Sequence, residues 1–316
     1  MQRYIAQRVM LAVPTIFFVV FATFAMVRFV PGDVVELILA ENPYATEQDK
    51  IDLRKQLGLD QPIPIQFARY SFNLIRGDLG VSHWTNRPVS QELRTRLPIT
   101  LEFGLLAVFL GLFVAIPVGV VSALRQDTFA DYFGRSFAIL AISVPYFFTA
   151  TLLVIFPIMW FGWAPPLTYV RWLEDPFGHM YYMFFPALIL GVNLSGSVMR
   201  MTRTMLLEVM RQDYIRTAYS KGLTERTVLV RHAAKNALIP VVTIIGLQVG
   251  TALSGTLIIE VIFNMPGVGR YFISSILARD YPSVQGVVLV LATVVIFVNL
   301  AVDLIYAMID PRISYS

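Results

Sequence analysis

Six separate stretches of this chain are each long and apolar enough to cross a lipid bilayer: Val9–Val30, Ile99–Leu124, Ser136–Phe161, Met183–Met205, Ile239–Ile262 and Gln285–Ile309. A spanning helix needs about 20 predominantly apolar residues. Hydrocarbon offers no water to backbone N–H and C=O groups, so each stretch must satisfy them internally as a helix. That requirement overrides the preference of Phe, Val and Ile for strands. The expected fold class is therefore an all-α integral membrane protein of about six transmembrane helices. Composition agrees: 56% of the 316 residues are hydrophobic and 15% are charged, against about 25% charged in soluble domains.

The first stretch, preceded by Arg3 and Arg8, has the charge pattern of a signal peptide. A signal h-region spans only about 7–15 residues and ends at a small-residue cleavage site. This run is longer and has no such site, so it is read as a retained anchor. Orientation follows from Lys and Arg in the short loops. One side carries thirteen of them, from Arg3 and Arg8 through Arg125, Arg135 and the cluster between Arg200 and Lys235 to Arg312. The other side has only Arg171, Arg270 and Arg279 in its short loops. Both termini are therefore expected in the cytoplasm. The resulting division is an N-terminus and first span (1–30), an extracytoplasmic helical segment (31–97), a core of five spans (98–309) containing a cytoplasmic loop at 206–238, and a cytoplasmic tail (310–316).

The outer segment is expected to fold as two short amphipathic helices. Thr46 can cap a helix over Glu47–Leu57 that stops at Gly58, and a second fits Ile65–Arg76, ended by Gly77. Ile51, Leu53 and Leu57, then Phe67, Tyr70 and Leu74, form their apolar faces. Pro62 and Pro64 stiffen the connection. Such a segment either caps the bundle or touches an incoming solute or delivery protein.

In the cytoplasmic loop, Asp213 reads as an N-cap for a helix over Tyr214–Lys221, and Gly222 as the left-handed residue that closes it. Thr224 then caps a helix through Arg226–Leu238. A two-turn helix is unstable alone in water. It must pack on a partner protein or lie on anionic lipid.

Few polar residues sit at membrane depth. Asn193 and Ser195 in the fourth run, with Gln248, Thr251 and Ser254 in the fifth, are candidates for lining a translocation path, or for contacts between helices. Gly246 and Gly250 form a G-x-x-x-G pair suited to close packing. Glu102, Glu260 and Asp303 are the carboxylates within the runs. Buried charge in a bilayer is costly, so they should face the bundle interior or water. Glu102 and Glu260 lie near run ends, where solvation is easier, and Asp303 shares a helix face with Asn299. Pro145, Pro165, Pro166 and Pro186 are expected to bend or stop helices.

Several chemistries lack their residues. There is no cysteine, hence no disulfide or thiolate metal site. No G-x-x-x-x-G-K-S/T loop, H-E-x-x-H pair or G-x-S-x-G elbow occurs. The aromatic residues sit in apolar runs rather than among basic ones, which argues for a membrane lipid environment and against nucleic acid.

Local stretches along almost the whole chain resemble the B-type permease subunits of dipeptide and oligopeptide ABC importers. They include Pro31-Gly32-Asp33, the run from Leu53 to Pro62, Gly77-Asp78-Leu79-Gly80 with Ser82, Pro88-Val89 and Arg96-Leu97-Pro98. Further along come Asp213 to Ala218 with Lys221-Gly222-Leu223, Arg231-His232-Ala233, Asn236 to Pro240, Phe263 to Arg270, Arg279 to Pro282 and Asp310-Pro311-Arg312. The resemblance implies a type I importer permease fold in a prokaryotic inner membrane. It implies that Asp213, Tyr214, Ile215, Arg216, Thr217, Ala218, Lys221 and Gly222 form a coupling helix that docks on an ATPase subunit. The general importer motif there has Glu-Ala-Ala before the glycine, where this chain has Arg216-Thr217-Ala218, and its proline position holds Lys235.

The partners implied are a homologous second permease, two ATPase subunits and an extracytoplasmic solute-binding protein. ATP and Mg would be held by the ATPase subunits, with no cofactor on this chain and no enzymatic activity of its own. The rival readings are an ion-gradient transporter, for which repeats and mid-bilayer ionisable groups would be expected, an intramembrane enzyme, for which no nucleophile–base constellation is found, and a non-transporting scaffold.

Overall fold

The computed structural model describes residues 2–29, 35, 39, 46–56, 58–166 and 168–309. All of the regular structure among them is helical, apart from a single bridge between Val81 and Pro88. The helices are α1 (Gln2–Phe29), α2 (Glu47–Gln56), α3 (Ile63–Ile75), α4 (Val89–Leu124), α5 (Phe129–Ser143), α6 (Tyr146–Phe161), α7 (Pro176–Met210), α8 (Asp213–Ser220), α9 (Glu225–Thr227), α10 (Ala234–Ile262), α11 (Val268–Leu277) and α12 (Tyr281–Ile309). A π-helical turn, Val228–Ala233, joins α9 to α10, so the chain is helical without a break over Glu225–Ile262.

Among the described residues, the six apolar runs fall on helix, the third with a break at Val144 and Pro145. Among the described residues, four helices are long and apolar enough to cross a bilayer: α4, α7, the Glu225–Ile262 stretch and α12. The third run departs from the expected single span. It is split into α5 and α6, which meet at 93°. Pro145 has no N–H and excludes helical geometry from the residue before it, and Val144 is extended. The fourth run also differs: α7 continues five residues past Met205, to Met210. At 35 residues it is about 52 Å long, well beyond a hydrocarbon core of about 30 Å. Its start is fixed locally, because Asp175 accepts hydrogen bonds from the amides of Phe177 (3.1 Å) and Gly178 (3.0 Å), with Pro176 in the first turn.

The chain divides into two compact units. The larger contains residues 97–270 and 295–316 together with the first five. Its core joins Phe103, Ala107, Tyr182, Met183, Leu190, Ile259 and Phe263. Small residues allow helices to approach: a Cβ on Gly191 of α7 would lie 2.5 Å from the Ala107 carbonyl oxygen of α4. Gly246 of α10 faces Val302 of α12, the close packing expected of the G-x-x-x-G pair.

The smaller unit holds residues 6–96 and 271–294. Here α2 begins with a reciprocal cap. The Asp49 amide donates to Thr46 Oγ1 (3.3 Å), and the Thr46 amide (2.8 Å) and hydroxyl (2.7 Å) donate to Asp49 Oδ2. These bonds hold the Asp49 carboxyl below its ordinary range. Helix α3 starts two residues earlier than expected, at Ile63, and closes at Gly77 with φ +78°. Its Phe67 sits in an edge-on cluster with Phe17, Phe21 and Phe24 of α1.

Candidate functional site

Helix α8 occupies the stretch expected to project from the cytoplasmic side. Its N-cap is Gln212, not Asp213; Asp213 is the first helical residue and forms an exposed ion pair with Arg216 at 3.5 Å. The C-terminus closes as read. Lys221 is the C-cap and Gly222 has φ +77°. The Gly222 amide donates to Tyr219 O (2.9 Å) and the Leu223 amide to Ala218 O (3.4 Å), the bond pair of a Schellman closure. A proline at 222 would force φ near −65° and destroy it.

The stability problem of so short a helix is solved within the chain. Ile215 and Ala218 are buried in an apolar socket with Ala123 of α4, Leu206 of α7, Val228 and Ala233 of the π-helical turn, and Ala237 of α10. The opposite face is open. Asp213, Tyr214, Arg216, Thr217, Tyr219, Ser220, Lys221 and Gly222 are exposed. Tyr214 is oriented by Asn236, whose amide donates to its hydroxyl at 2.9 Å. The arrangement is a polar, tyrosine-bearing knob on an apolar seat.

Next to this socket lies a group that the sequence does not single out. Asp131, in the first turn of α5, is completely buried. Arg203 of α7 donates to it twice, Nε to Oδ1 and an Nη to Oδ2, both at 2.7 Å. The Ser122 hydroxyl of α4 donates to Oδ1 (2.5 Å) and the Asp127 amide to Oδ2 (3.0 Å). Nothing in the local sequence marks this pairing, because its partners lie 9 and 72 residues away.

Glu260 corrects an expectation. It is not solvated at a run end but completely buried. The Thr100 hydroxyl donates to its Oε1 (2.7 Å), and the amides of Gly269 (2.7 Å) and Arg270 (3.1 Å) donate to Oε2. Thr100 Oγ1 in turn accepts the Val268 amide at 2.8 Å. The carboxylate therefore caps α11 from another helix, where the helix dipole favours negative charge. A Cβ on Gly269 would stand 2.5 Å from Leu257 Cα, and one on Gly267 would collide with the Glu260 carboxylate.

Glu102 is half-exposed, as its place near a run end suggested, and it meets buried His179 at 2.8 Å. His179 Nδ1 lies 2.8 Å from the Val170 carbonyl oxygen, which can only accept, so Nδ1 is the donor there. The side chain of Asp303 lies outside the described residues, and its pairing with Asn299 with it.

The candidate path residues separate into two groups. Asn193 donates to the carbonyls of Ala141 (2.7 Å) and Val144 (3.3 Å), the acceptors freed where α5 ends. It borders a cavity of about 340 Å³ at the α5–α6 break, lined also by Leu140, Tyr146, Leu188 and Val192. Ser195 is buried and returns its hydroxyl to Val192 O (2.6 Å), and Gln248 bonds the Ser197 hydroxyl. These three are engaged between or within helices. Thr251 and Ser254 are exposed. With Thr243, Leu247 and Ile258 they form one open stripe along α10, at the spacing of a single helix face.

In the smaller unit, two motif segments far apart in sequence meet. Asp280 accepts from the Ser82 hydroxyl (2.5 Å), the His83 amide (3.1 Å) and the Ser283 hydroxyl (2.6 Å). Tyr271 and Ser283 hydroxyls are 2.6 Å apart.

Residues 115–315 match the family described as the binding-protein-dependent transport system inner membrane component, and residues 1–104 match the description of its N-terminal part. The chain belongs to this family. It is a multi-pass permease subunit of the ABC importer class. A protein of Brucella suis biovar 1 named as a peptide transport system permease is 41% identical over 315 residues, covering 100% of both chains. The dipeptide transport system permease DppB of Escherichia coli strain K12 is 38% identical over 338 residues, covering 100% of this chain and 99% of its own. DppB of Alkalihalophilus pseudofirmus is 35% identical over 335 residues with full coverage of both. Among solved structures, the inward-facing MetNI methionine ABC transporter matches with TM-score 0.56 at 17% identity, over 70% of this chain and 97% of that one. An amino acid ABC transporter matches with TM-score 0.50, also at 17% identity, over 71% and 95%. These two likenesses establish the fold of the permease: all-helical, of the type I importer kind.

Proposed function

We propose that this permease imports peptides, dipeptides among them, and that α8 is its coupling helix to an ATPase subunit. The permeases of similar sequence named for peptide and dipeptide transport support the choice of solute class. The observation that carries the coupling role is the two-faced build of α8, with Ile215 and Ala218 seated on its own bundle and a polar face left for a partner. The loop bearing α8 holds the densest cluster of Lys and Arg, which supports a cytoplasmic position for it and for both termini.

In this reading a homologous second permease completes the translocation path, to which Thr251 and Ser254 contribute from the open stripe of α10. Asn193, Ser195 and Gln248 support the path from behind. A solute-binding protein delivers the peptide from outside. Two ATPase subunits hold ATP and Mg, and this chain binds neither. Their closure displaces α8, and packed helices with two discrete arrangements convert that displacement into reorientation of the path.

The test is ATP-dependent peptide uptake into proteoliposomes by the complete complex, comparing the native chain with Arg216→Glu and Gly222→Pro. Both variants are expected to lose uptake and stimulated ATP hydrolysis while binding-protein docking persists. Uptake without ATP, or normal coupling in both variants, defeats the proposal.

A further inference from the structure

We infer that the buried Asp131–Arg203 pair is a positioning device that makes α5, α7 and α8 travel as one body, so that displacement of α8 is delivered to the break between α5 and α6. The inference rests on the reading of α8 as the coupling helix.

Both ends of α5 are tied to α7. At its first turn, Asp131 is gripped by the two-pronged Arg203 bond and by Ser122 at the end of α4. At its last turn, Asn193 of α7 takes the carbonyls of Ala141 and Val144. Between these ties the helices have no slack: a Cβ on Gly196 would lie 2.8 Å from the Ala138 carbonyl oxygen, and one on Gly134 2.9 Å from Met199 Cε. Interiors packed this closely shift as units rather than deform.

The lower tie adjoins the coupling socket. Arg203 lies one helical turn before Leu206, and Ser122 precedes Ala123, and both Leu206 and Ala123 form the seat of Ile215 and Ala218. A buried ion pair is seldom a net source of stability compared with apolar packing, but breaking it by removing one partner is costly. What it contributes is fixed geometry. The upper end is different. Val144 is extended and Pro145 cannot continue the helical bonding, so α6, which packs on the core through Ala150, is joined to α5 by a hinge beside the cavity bordered by Asn193.

The chain has no cysteine, so spin labels at Ser136→Cys on α5 and Gln212→Cys at the N-cap of α8, both exposed, report one distance in a complex whose other subunits are cysteine-free. The measurement is made by pulsed electron resonance on the complete reconstituted complex, without nucleotide and with ATP under conditions that block hydrolysis. In the native background the distance is expected to be the same in both states. With Asp131→Asn it should broaden or shift with ATP, and peptide imported per ATP hydrolysed should fall at least fivefold while stimulated hydrolysis persists. Asn193→Ala, which frees the other end of α5, should do the same, and Arg203→Lys, which keeps charge but not the fork, should fall between. A native distance that changes with ATP overturns the inference, and so does unchanged peptide per ATP in both Asp131→Asn and Asn193→Ala. Should Asp131→Asn fail to assemble, the native distance and Asn193→Ala still decide. A native complex with no ATP-dependent uptake removes the coupling reading itself, and the inference with it.

Discussion

Asp131 and Glu260 are both carboxylates with no exposure to solvent, and the chain keeps them dry in opposite ways. Asp131 is balanced by a full opposite charge, Arg203, with a serine hydroxyl and one amide completing its shell. Glu260 is held by a threonine hydroxyl and two amides at the start of α11. The first arrangement ties three helices through the side chains of Ser122, Asp131 and Arg203 and is as directional as the guanidinium fork allows. The second joins the end of one helix to the start of another through backbone groups and glycines that admit no side chain. Losing charge should therefore strand Arg203 at the first site, and adding bulk should tell most at the second, where Gly267 and Gly269 face the carboxylate and the Leu257 backbone.

The largest effect is expected from Asp131→Asn, which leaves a mostly buried arginine without its counter-charge. A cost of about 3–5 kcal/mol is the usual scale for breaking one side of a buried pair, read as a lowered unfolding midpoint in detergent. Glu260→Gln keeps a hydrogen-bonding group in the same place, and the weaker bonds it makes to Thr100, Gly269 and Arg270 are expected to cost about 1–2 kcal/mol. Equal losses in the two variants would erase the distinction. Gly269→Ala should cost about 1–3 kcal/mol, because the obstructing atom is the backbone Cα of Leu257 and cannot swing away. Thr100→Val, assayed in the same way, strands the Val268 amide at about 1–2 kcal/mol, and Thr100→Ser should restore nearly all of it. The smallest effect is that of Ser122→Ala, roughly 0.5–1.5 kcal/mol, since the fork from Arg203 remains.

The two sites also differ in how far the sequence disclosed them. Glu260 stands out as a carboxylate in an apolar run, but its place near the run's end suggested solvation. The glycines and amides that enclose it come from the following turn, whose fold-back onto α10 is a tertiary event. Asp131 lies just ahead of its apolar run, among polar neighbours, and gives no sign of burial. Asn193 was visible as a polar residue at membrane depth, but not as the group that closes the end of α5. The choice between lining a path and binding a neighbouring carbonyl depends on where Val144 and Pro145 send the chain. The early end expected for α7 has a similar cause: its last turn carries too much polarity to read as membrane, yet Leu206 is held by the α8 socket.

Near neighbours and the solvent are enough to fix part of this structure. The apolar runs had to be helices because hydrocarbon leaves the backbone no other partner. Thr46 with Asp49, and Gly58, Gly77 and Gly222, set helix ends through bonds a few residues long. Motif order along the chain was enough to place it in its family. Tertiary structure alone decided the 93° break between α5 and α6, the seat beneath α8, and the partners of Asp131, Glu260 and Asp280. Ser82 and Asp280 are 198 residues apart, and no local propensity carries information over that distance. Such pairs form because, once packing removes water, each buried polar group must find a partner among whatever the fold brings within reach.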